Sequence, residues 1–341
     1  MNNSSINLAL IGASGIVGTK ILKLLEKRSY PIDKFIPLGH STVGQKIEFN
    51  GLDYKIGSLE TFEPESVDLI ILAAGSSVAE KHARDFVKSG AYVIDLSSKF
   101  RYEDDVPLVI PELNGHLVDA LSEPSLIANP NCSTSQLLMA IKPIHDVLNI
   151  ELINISTYQA VSGTGKAALE ELHNQTYFAE SDSKPSVYPK QIAFNVIPQC
   201  DDFLENDFTK EEMKLVWETH KILDPNIFVQ ATCVRVPVFN GHSEALFFKT
   251  SKTASRKMVI DILNKATGIK VIDNPAELEY PTPVENANDT EEVFVGRIRA
   301  QELAEENWIS LWVVADNVYG KGAALNAVQI AERLINTNKF E

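Results

Sequence analysis

The first third of the chain alternates short apolar runs with segments of helical apolar spacing. Residues 6–11 form an apolar run that ends at Gly12, and apolar residues recur at helical spacing over residues 15–27. A run of this kind, followed by a glycine turn and an amphipathic segment, predicts a strand, a turn and a helix. Strand-like runs at 34–38, 68–73, 91–96 and 125–128, with a helical pattern at 78–88, continue the alternation. This order predicts a doubly wound, mostly parallel sheet.

The pattern changes after about residue 150, where longer apolar runs have fewer helical segments between them. The runs lie at 151–161, 228–238, 244–250, 293–299 and 308–315, and the helical patterns at 165–180, 210–223 and 255–264. They predict an α+β domain with a mainly antiparallel sheet. We expect a first domain of residues 1–130, a second of residues 131–319, and a C-terminal helical segment, 320–341, that packs back on the first. Residues 274–290 are rich in proline, asparagine and acids and are expected to form a solvated loop.

Composition restricts the classes of ligand. The 341 residues include 31 basic and 46 acidic ones, a formal net charge of −15, and 44% are hydrophobic, as in an ordinary folded domain. Such a negative field disfavours binding to nucleic acid or to anionic membranes, so an anionic ligand needs local basic residues. The first residues lack the basic region of a secretion signal, and no apolar stretch reaches the ~20 residues of a membrane span. We therefore expect a cytoplasmic protein.

The glycines after the first predicted strand suggest a phosphate-binding turn. Gly12, Gly15 and Gly18 form a G-x-x-G-x-x-G pattern between that strand and the first predicted helix. Glycines let the backbone approach a pyrophosphate, and the helix N-terminus supplies free N–H groups and a positive dipole end. The alternative is a tight turn that binds nothing. The second strand ends at His40, Ser41 and Thr42 with no acid to repel a 2′-phosphate, which favours NADP.

Cys132 is the best candidate nucleophile among the three cysteines. It lies where a predicted strand ends and a helical pattern over 137–147 follows. A thiol at a helix N-terminus is expected to have a lowered pKa, because the helix dipole favours the thiolate. Cys233 lies in an apolar strand and is expected to be a buried hydrophobe, and Cys200 precedes two aspartates that would raise its pKa. An odd cysteine count with no CxxC pair indicates neither a disulfide framework nor a metal site.

Other polar residues are candidates for acid–base and anion-binding roles. His242 is predicted to lie in a turn between two strands, where a catalytic imidazole and a solvent-facing one are both plausible. Arg235 precedes it on the strand leading into that turn. Glu218 and Lys221 share one helical face, where the common alternative is a surface ion pair. Arg101 follows the carboxyl end of a parallel strand, where doubly wound sheets bind ligands.

The chain resembles the aspartate-semialdehyde dehydrogenase family in motifs that follow one another along its whole length. These motifs are Gly12-Ala-Ser-Gly-Ile-Val-Gly18, Asp95-Leu-Ser-Ser98 with Arg101, Asn129-Pro-Asn-Cys-Ser-Thr134, Gln159-Ala-Val-Ser-Gly-Thr-Gly165, Trp217-Glu-Thr-His-Lys221, Arg235-Val-Pro-Val-Phe-Asn-Gly-His242 and Asp316-Asn317. The resemblance implies a Rossmann-type domain and a catalytic and dimerisation domain. It also implies NADPH-dependent reductive dephosphorylation of L-aspartyl-4-phosphate, a step towards lysine, threonine, methionine and diaminopimelate, by a homodimer.

The resemblance also implies a role for each matched residue. Cys132 forms an acyl-thioester, His242 is the general acid/base, and Gln159 orients the reacting group. Arg235 binds the substrate α-carboxylate, Glu218 meets the α-amino group, and Arg101, Lys221 and Asn131 receive phosphate. The implied cofactor contacts are Gly12, Ser14, Gly15, Ile16, Val17, Gly18, Ser41, Thr42, Gly75, Ser162, Gly163 and Asn317, with no metal.

One departure and two rival interpretations accompany the resemblance. Many relatives carry an arginine at the 2′-phosphate position, where this chain has Ser41. NADP is therefore the expected cofactor and NAD the alternative. One rival activity is that of N-acetyl-γ-glutamyl-phosphate reductase, which uses an acylated amine, against which Glu218 argues. The other rival is a dinucleotide-binding protein without turnover.

Overall fold

A computed structural model of the protein describes residues 5–178 and 185–340. The described residues form two compact units. The first runs to Pro130 and includes the chain from Ala323 onward, and the second is Asn131–Gly322. Each unit has its own sheet, so each is described separately.

The first unit is built on a six-stranded sheet in which every pair is parallel. Its spatial order is β5-β2-β1-β6-β7-β8. The central strands are apolar and buried along almost their whole length, as expected for a sheet covered on both faces. The strands of this unit are β1 (Ile6–Ile11), β2 (Ile32–Gly39), β3 (Lys46–Phe49), β4 (Leu52–Lys55), β5 (Gly57–Ser58), β6 (Leu69–Leu72), β7 (Tyr92–Asp95) and β8 (Leu126–Ala128). The predicted Rossmann-type sheet is confirmed.

Chain order reverses at β1, which lies between β2 and β6. The carboxyl ends of the strands on either side of such a switch point form the crevice where doubly wound sheets bind ligands. Helices α1 and α2 begin beyond the ends of β1 and β6. The helices of this part of the chain are α1 (Ile16–Lys27), α2 (Ser76–Lys88), α3 (Pro111–Asn114) and α4 (His116–Asp119), with 3₁₀ turns at Leu59–Thr61 and Pro64–Ser66.

A hairpin of β3 and β4 was missing from the sequence prediction. Its turn is Asn50-Gly51, and both residues have positive φ, 51° and 72°. Asn-Gly is the strongest short hairpin signal, because both central positions of a type I′ turn need positive φ. Apolar and polar residues alternate along both strands, but each strand is only four residues long, the shortest run in which alternation indicates a strand.

The second unit contains a six-stranded mixed sheet in the order β10-β9-β11-β14-β13-β12. The three central pairs are antiparallel, which confirms the prediction, and the two outer pairs, β10 with β9 and β12 with β13, are parallel. The strands are β9 (Ile150–Gln159), β10 (Phe228–Arg235), β11 (His242–Thr250), β12 (Ile269–Val271), β13 (Val293–Leu303) and β14 (Glu306–Ala315).

Among the described residues, five helices belong to the second unit and a sixth lies near the C-terminus. The predicted helix at 165–180 ends at Tyr177, and residues 179–180 lie outside the described residues. The predicted loop at 274–290 contains a 3₁₀ turn and one short helix. The helices are α5 (Cys132–Leu148), α6 (Lys166–Tyr177), α7 (Lys210–Ile222), α8 (Arg256–Leu263), α9 (Pro283–Asn286) and α10 (Ala324–Asn336), with 3₁₀ turns at Val161–Thr164 and Pro275–Glu277.

Helix α10 belongs to the first unit, where it packs against α1 and α4. Arg28 donates to both carboxylate oxygens of Glu332 at 2.8 and 2.9 Å. The Asn326 amide donates to the carbonyl of Val109 at 2.9 Å and to Oδ1 of Asn129 at 2.8 Å. These hydrogen bonds hold α10 against the rest of the first unit. Residues 320–322 of the predicted C-terminal segment belong to the second unit, and residue 341 lies outside the described residues.

Candidate active site

Helix α5 begins at Cys132 because Asn131 caps it. Asn131 has extended backbone angles, and its Oδ1 accepts the N–H groups of Ser133 at 2.9 Å and Thr134 at 3.2 Å. An asparagine at this position satisfies donors that would otherwise lack partners. The apolar pattern placed the helix start near residue 137, because the first turn is polar. Cys132 is half-buried, whereas Cys200 and Cys233 are buried.

Glu218 of α7 is fully buried and reaches the start of α5. Its Oε2 accepts the backbone N–H of Asn131 at 2.7 Å, and its exposed fraction is 0%. Glu218 is therefore not at the surface, as the alternative of an ordinary surface ion pair with Lys221 requires. Lys221, one turn further along α7, is exposed. Burial of an acid is costly without partners, and the N–H of Asn131 is one such partner.

Gln159, the last residue of β9, also contacts the first turn of α5. Its side chain is 1% exposed, and Nε2 donates to Oγ of Ser133 at 2.9 Å and to Oγ1 of Thr157 at 3.3 Å. A third acceptor, at 3.0 Å, is Oε1 of Glu211. The structure thus places Gln159 beside the residue that follows Cys132.

Ala160 joins Arg235 and His242 through its backbone. Its carbonyl accepts Nη1 of Arg235 at 2.6 Å, and its N–H donates to Nδ1 of His242 at 3.0 Å. Arg235 ends β10 opposite Gln159 in a parallel register, which brings the arginine alongside. The Arg235 guanidinium also lies 5.9 Å from the ring centre of Tyr188. Both Arg235 and His242 are buried, at 6% and 0% exposure.

His242 is the first residue of β11 and not part of the turn that the sequence predicted. The turn ends at Gly241, and a solvent-facing imidazole is excluded by complete burial. Burial first, and the charge of Arg235 second, lower the pKa of His242 to about 3, against a small opposing effect of Glu211. Because Nδ1 accepts a hydrogen bond, the proton of the neutral ring is on Nε2. That buried nitrogen makes no hydrogen bond to any residue that the structure describes.

Glu211 of α7 is a site residue that the sequence analysis missed. Its carboxylate accepts Nδ2 of Asn131 at 3.0 and 3.2 Å and Nε2 of Gln159 at 3.0 Å, and it pairs with Lys214 at 3.0 Å. Burial opposes its ionisation, but Lys214 and the two amides lower the pKa of Glu211 to about 2. A signal was present: residues 211, 214, 218 and 221 lie on one helical face.

The other two cysteines have no sign of reactivity. Cys200 is 2% exposed and Cys233 is 0% exposed. Burial raises the pKa of Cys200 to about 12 and that of Cys233 well above its ordinary value. The predicted direction for Cys200 is confirmed, but desolvation and not the adjacent aspartates is the main cause. Both thiols are held in the neutral form.

The glycine turn of the first unit has a backbone conformation suited to binding a phosphate. Gly12 has φ of +85°, and a Cβ there would lie 2.4 Å from the carbonyl oxygen of Ala73. A Cβ at Gly18 would lie 2.2 Å from the carbonyl oxygen of Gly12. Gly15 precedes α1 and gives it no side-chain cap, so the first N–H groups of the helix are not taken by a capping side chain. Ile16 and Val17 form the first turn of α1.

Four further predicted cofactor positions lie near the carboxyl edge of this sheet. Ser14 and Thr42 are joined by a 2.8 Å hydrogen bond between their hydroxyl groups, and Ser41 is exposed. Gly75 precedes α2 with φ of +86° and has open space around it. No acidic side chain stands among residues 40–42, so nothing there repels a phosphate on the ribose.

Arg101 is buried in the first unit by bonds to carbonyl oxygens. Nε donates to Asn129 at 2.9 Å and Nη2 to Leu96 at 3.1 Å. Burial raises the pKa of Asp95, and the hydrogen bonds of Ser97 and the charge of Arg101 oppose that rise. The guanidinium is thus anchored at the end of β7, where the sequence placed a ligand-binding arginine.

Ser162, Gly163 and Asn317 meet near His242 in the second unit. Asn317 is hydrogen bonded to Oγ of Ser162 at 3.0 and 3.1 Å and accepts the N–H of Gly241 at 3.0 Å. A Cβ added at Gly163 would lie 3.2 Å from Cε1 of His242 and 3.3 Å from Nη1 of Arg235. The absence of a side chain at residue 163 therefore leaves room beside both groups.

The two parts of the chain match two family models. Residues 7–121 match the semialdehyde dehydrogenase NAD binding domain, and residues 141–319 match the semialdehyde dehydrogenase dimerisation domain. An aspartate-semialdehyde dehydrogenase of Shewanella violacea is 46% identical over 337 residues, 98% of each chain. The chain belongs to the aspartate-semialdehyde dehydrogenase family. An NAD(P)-binding domain and an oxidoreductase of amino-acid biosynthesis follow from this membership.

Solved structures of the aspartate-semialdehyde dehydrogenase family agree with this fold. Aspartate semialdehyde dehydrogenase II from Vibrio cholerae matches with a TM-score of 0.93 and 43% identity, covering 98% of this chain and 99% of that one. The same enzyme complexed with ASA matches equally well. Among the described residues of this family member, no helix is long and apolar enough to cross a membrane, and no cluster of His, Cys, Asp and Glu could hold a metal.

Proposed function

We propose that the chain catalyses the NADPH-dependent reductive dephosphorylation of L-aspartyl-4-phosphate to L-aspartate-4-semialdehyde. One observation carries the proposal: a continuous set of contacts joins the predicted catalytic residues within the second unit. Gln159 contacts Ser133, the neighbour of Cys132, and the next residue, Ala160, contacts both Arg235 and His242. The Vibrio cholerae enzyme that matches this chain has been solved complexed with ASA, which supports the same substrate class.

Cys132 is the proposed nucleophile. Its thiolate attacks the acyl carbon of the substrate, a C–S bond forms, and the bond from that carbon to the phosphate oxygen breaks to release phosphate. The resulting acyl-thioester is the covalent intermediate, which divides one difficult step into two easier ones. The capped N-terminus of α5 supplies a positive dipole end beside the sulfur.

A bound nicotinamide cofactor supplies the hydride that reduces the thioester. The carbonyl oxygen of the thioester then gains negative charge, and the Nε2–H of His242 is the donor we propose to meet it. Collapse of the hemithioacetal re-forms the C=O bond and returns the electron pair to sulfur, so the semialdehyde leaves and the thiolate is regenerated. Gln159, held at its amide nitrogen, orients the acyl group during both steps.

The charged groups around this centre suit an amino-acid substrate. Arg235 presents a planar fork that can bind the α-carboxylate through two parallel hydrogen bonds. Glu218, buried beside Asn131, is the proposed partner of the α-ammonium group. Arg101, Lys221 and Asn131 remain the proposed phosphate ligands, with Lys221 acting as an exposed point charge.

The glycine turn and the Ser14–Thr42 pair are the proposed cofactor-binding elements of the first unit. Because no carboxylate follows β2, a 2′-phosphate meets no repulsion, and we propose NADP as the preferred cofactor with NAD as a weaker substitute. In the second unit, Ser162, Gly163 and Asn317 are the proposed cofactor contacts. We further propose a homodimer, in keeping with the dimerisation domain that residues 141–319 match.

The decisive experiment is a phosphate-dependent assay of the purified protein. Aspartate semialdehyde, phosphate and NADP are mixed, and formation of NADPH is followed by absorbance, with NAD in a parallel series. We expect turnover that requires phosphate and is faster with NADP. Turnover only with N-acetylglutamate semialdehyde would assign the rival acyl-phosphate reductase activity, and cofactor binding without any turnover would reject catalysis.

A further inference from the structure

Arg235 carries a buried positive charge with few partners in the protein. Its bond from Nη1 to the carbonyl of Ala160, at 2.6 Å, is the one hydrogen bond that the described residues accept from its side chain. Nε is buried and makes no hydrogen bond to any described residue. No carboxylate of residues 5–178 or 185–340 forms an ion pair with the guanidinium. Because a buried charge without an ion-pair partner is costly, other groups must hold it in place.

Tyr188 provides such a group with the face of its ring. The guanidinium carbon of Arg235 lies over this ring, 5.9 Å from the ring centre, and Tyr188 is only 8% exposed. A cation within ~6 Å of an aromatic face is attracted to it, and the attraction is stronger when water is excluded. Burial raises the pKa of Tyr188, with the charge of Arg235 opposing the rise, so the ring stays neutral near pH 7.

The hydroxyl group of Tyr188 fixes the ring from its other end. It donates to Oγ1 of Thr164 at 2.9 Å. Thr164 ends the 3₁₀ turn Val161–Thr164, which follows Ala160 directly in the chain. The carbonyl that accepts Nη1 of Arg235 and the hydroxyl that accepts the Tyr188 proton therefore belong to one short stretch of backbone.

Helix α6 holds the segment that carries Tyr188. The carboxylate of Glu171 accepts the backbone N–H of Ser186 at 2.8 Å and that of Val187 at 2.6 Å. One turn further along α6, Oε1 of Gln175 accepts two more N–H groups of the same segment, at 3.0 and 3.1 Å. These bonds lie on both sides of Tyr188 in the sequence, so the backbone that carries the ring is fixed before it and after it.

The same segment then reaches the backbone of Arg235. Ile197 donates its N–H to the carbonyl of Arg235 at 2.9 Å and accepts the N–H of Arg235 at 2.8 Å. Arg235 is thus contacted by this segment twice, at its backbone by Ile197 and at its guanidinium by Tyr188. A displacement of the segment would therefore change the direction of the arginine side chain.

We propose that Tyr188 is a positioning residue for substrate recognition, whose ring face holds the Arg235 guanidinium so that the edge formed by Nε and Nη2 is left for the substrate α-carboxylate. Such an edge presents two parallel donors to a carboxylate. Tyr188 touches no reacting atom and acts through Arg235. The inference deepens the proposed function and rests on it for the role of Arg235. Tyr188 belongs to none of the family motifs quoted above.

The first test compares Tyr188→Leu with Tyr188→Phe. Leucine removes the aromatic face, so KM for the semialdehyde should rise about 10-fold, while kcat and KM for phosphate stay within about threefold of the wild type. Phenylalanine keeps the face and loses only the bond to Thr164, so its KM for the semialdehyde should stay within about threefold. Equal losses in the two variants would overturn the inference, and so would a folded Tyr188→Leu protein with unchanged KM.

Tyr30→Leu is the matched control. Tyr30 is 7% exposed, lies just before β2 in the first unit and has no proposed role in the site. Its replacement should lower stability and leave KM near wild type. An equal rise in KM in this control would assign the effect of Tyr188→Leu to general damage and reject the inference.

A second replacement serves if Tyr188→Leu fails to fold by circular dichroism. Tyr188 is then replaced by a ring-fluorinated phenylalanine, which nearly keeps the shape of phenylalanine but has a less negative face. KM for the semialdehyde should be severalfold higher than in Tyr188→Phe. Equal KM values in these two proteins would overturn the inference.

A double-mutant cycle tests whether Tyr188 acts through Arg235. In an Arg235→Lys background, Tyr188→Leu should lower kcat/KM less than about threefold, because the planar guanidinium that the ring holds is already gone. A loss as large as that in the wild-type background would show that Tyr188 acts by another route.

A readout independent of turnover distinguishes this inference from the proposed function. The probe is L-2-aminobutanoate, which has the α-amino and α-carboxylate groups and no carbonyl that could react with Cys132. Its dissociation constant, measured by ligand-observed NMR titration, should rise about 10-fold in Tyr188→Leu and stay within about threefold in Tyr188→Phe and Tyr30→Leu. Equal constants in all four proteins, or no binding to the wild type, would overturn the inference. A wild-type protein that binds the probe but does not turn over the semialdehyde would reject the proposed function and leave this comparison interpretable.

Discussion

The backbone N–H of Ala160 donates to Nδ1 of His242 across 3.0 Å. This bond determines the tautomer of the ring and directs a proton on Nε2 toward the site. Because burial and the charge of Arg235 lower the pKa of His242 to about 3, the ring is neutral throughout the physiological range. The imidazole is therefore suited to donate a hydrogen bond to an oxygen that gains negative charge.

The pH dependence of turnover should reflect this neutral ring. A lowered pKa means that the protonated form accumulates only below about pH 3, so His242 should add no acidic limb to kcat/KM between pH 5 and pH 8. Replacement by asparagine should lower kcat by about 10²–10⁴-fold with a smaller change in KM. Steady-state kinetics over that pH range checks both. A fall in kcat/KM below about pH 6.5 in the wild type that is absent in His242→Asn would show that the ring titrates in this range.

Cys132→Ala should abolish phosphate-dependent formation of NADPH, because the other two thiols, Cys200 and Cys233, are buried. The control is Cys233→Ala, at a fully buried strand position, which should lower the unfolding temperature and retain turnover. Mass spectrometry of the wild-type protein mixed with substrate should reveal the acyl-thioester. Substantial turnover by Cys132→Ala would disprove the covalent route.

Arg235→Lys should weaken substrate binding. A lysine cannot present two parallel donors, and it would also lose the bond to the carbonyl of Ala160. The loss of one charge-assisted hydrogen bond, ~1.5–3 kcal/mol, corresponds to a rise of about 10- to 100-fold in KM. Arg256→Lys, at an exposed arginine that pairs with the buried carboxylate of Asp273, is the control and should leave KM unchanged. Equal KM values for all three proteins would remove Arg235 from substrate recognition.

Gly163→Ala should lower turnover without unfolding the protein. The added Cβ would crowd Cε1 of His242 at 3.2 Å and Nη1 of Arg235 at 3.3 Å, so both groups would have to shift by a few tenths of an ångström. We expect a loss of about 10-fold in kcat/KM, within the range seen for small misplacement. Gly57→Ala gives similar crowding, 3.2 Å from a Leu38 methyl group, away from these residues. Normal kinetics in Gly163→Ala would show that the site tolerates a methyl group there.

Glu244 should make the protein less stable as the pH rises. It lies on β11 with 0% exposure, and burial raises its pKa well above the ordinary value of 4.5, with only the amide of Gln136 opposing the rise. Above pH 4.5 the unfolded chain loses this proton while the folded chain keeps it, so the free energy of unfolding falls with pH by up to ~1.4 kcal/mol per unit. Glu244→Gln should remove that slope in urea titrations at pH 5 to 8.

The control for this prediction is Glu306→Gln, at a half-exposed position paired with Lys249. It should leave the pH trend of stability close to that of the wild type. If Glu244→Gln and wild type show parallel trends from pH 5 to pH 8, the buried carboxyl is not protonated in the folded state.

Much of the first unit could be predicted because its strands are buried on both faces. Residues 69–72 are all apolar and all buried, so the run itself revealed the strand. The glycine pattern likewise indicated a turn that Gly12 and Gly18 require sterically. The β3–β4 hairpin was missed because each of its strands is only four residues long, the shortest run in which alternation indicates a strand.

The site was harder to predict, because its polar residues are placed by tertiary contacts. The first turn of α5 contains Ser133, Thr134, Ser135 and Gln136, all buried, so polarity concealed where the helix begins. His242 was assigned to a turn because Asn240-Gly241 precedes it, although its pairing with Ala315 makes it part of β11. Glu211 shares a helical face with Glu218, but the sequence does not show the amides of Asn131 and Gln159 that it holds.

The regular turn of helix α7 fixes the spacing of four charged residues. Glu211, Lys214, Glu218 and Lys221 repeat every three or four residues, so the carboxylate that holds two amides and the one that meets the start of α5 share a single stripe. One residue deleted between 214 and 218 would rotate everything beyond it by ~100° and part the two carboxylates, while leaving every side chain chemically intact. A single side-chain replacement removes one contact of the site, but a change in helical phase would displace several of its charged groups together.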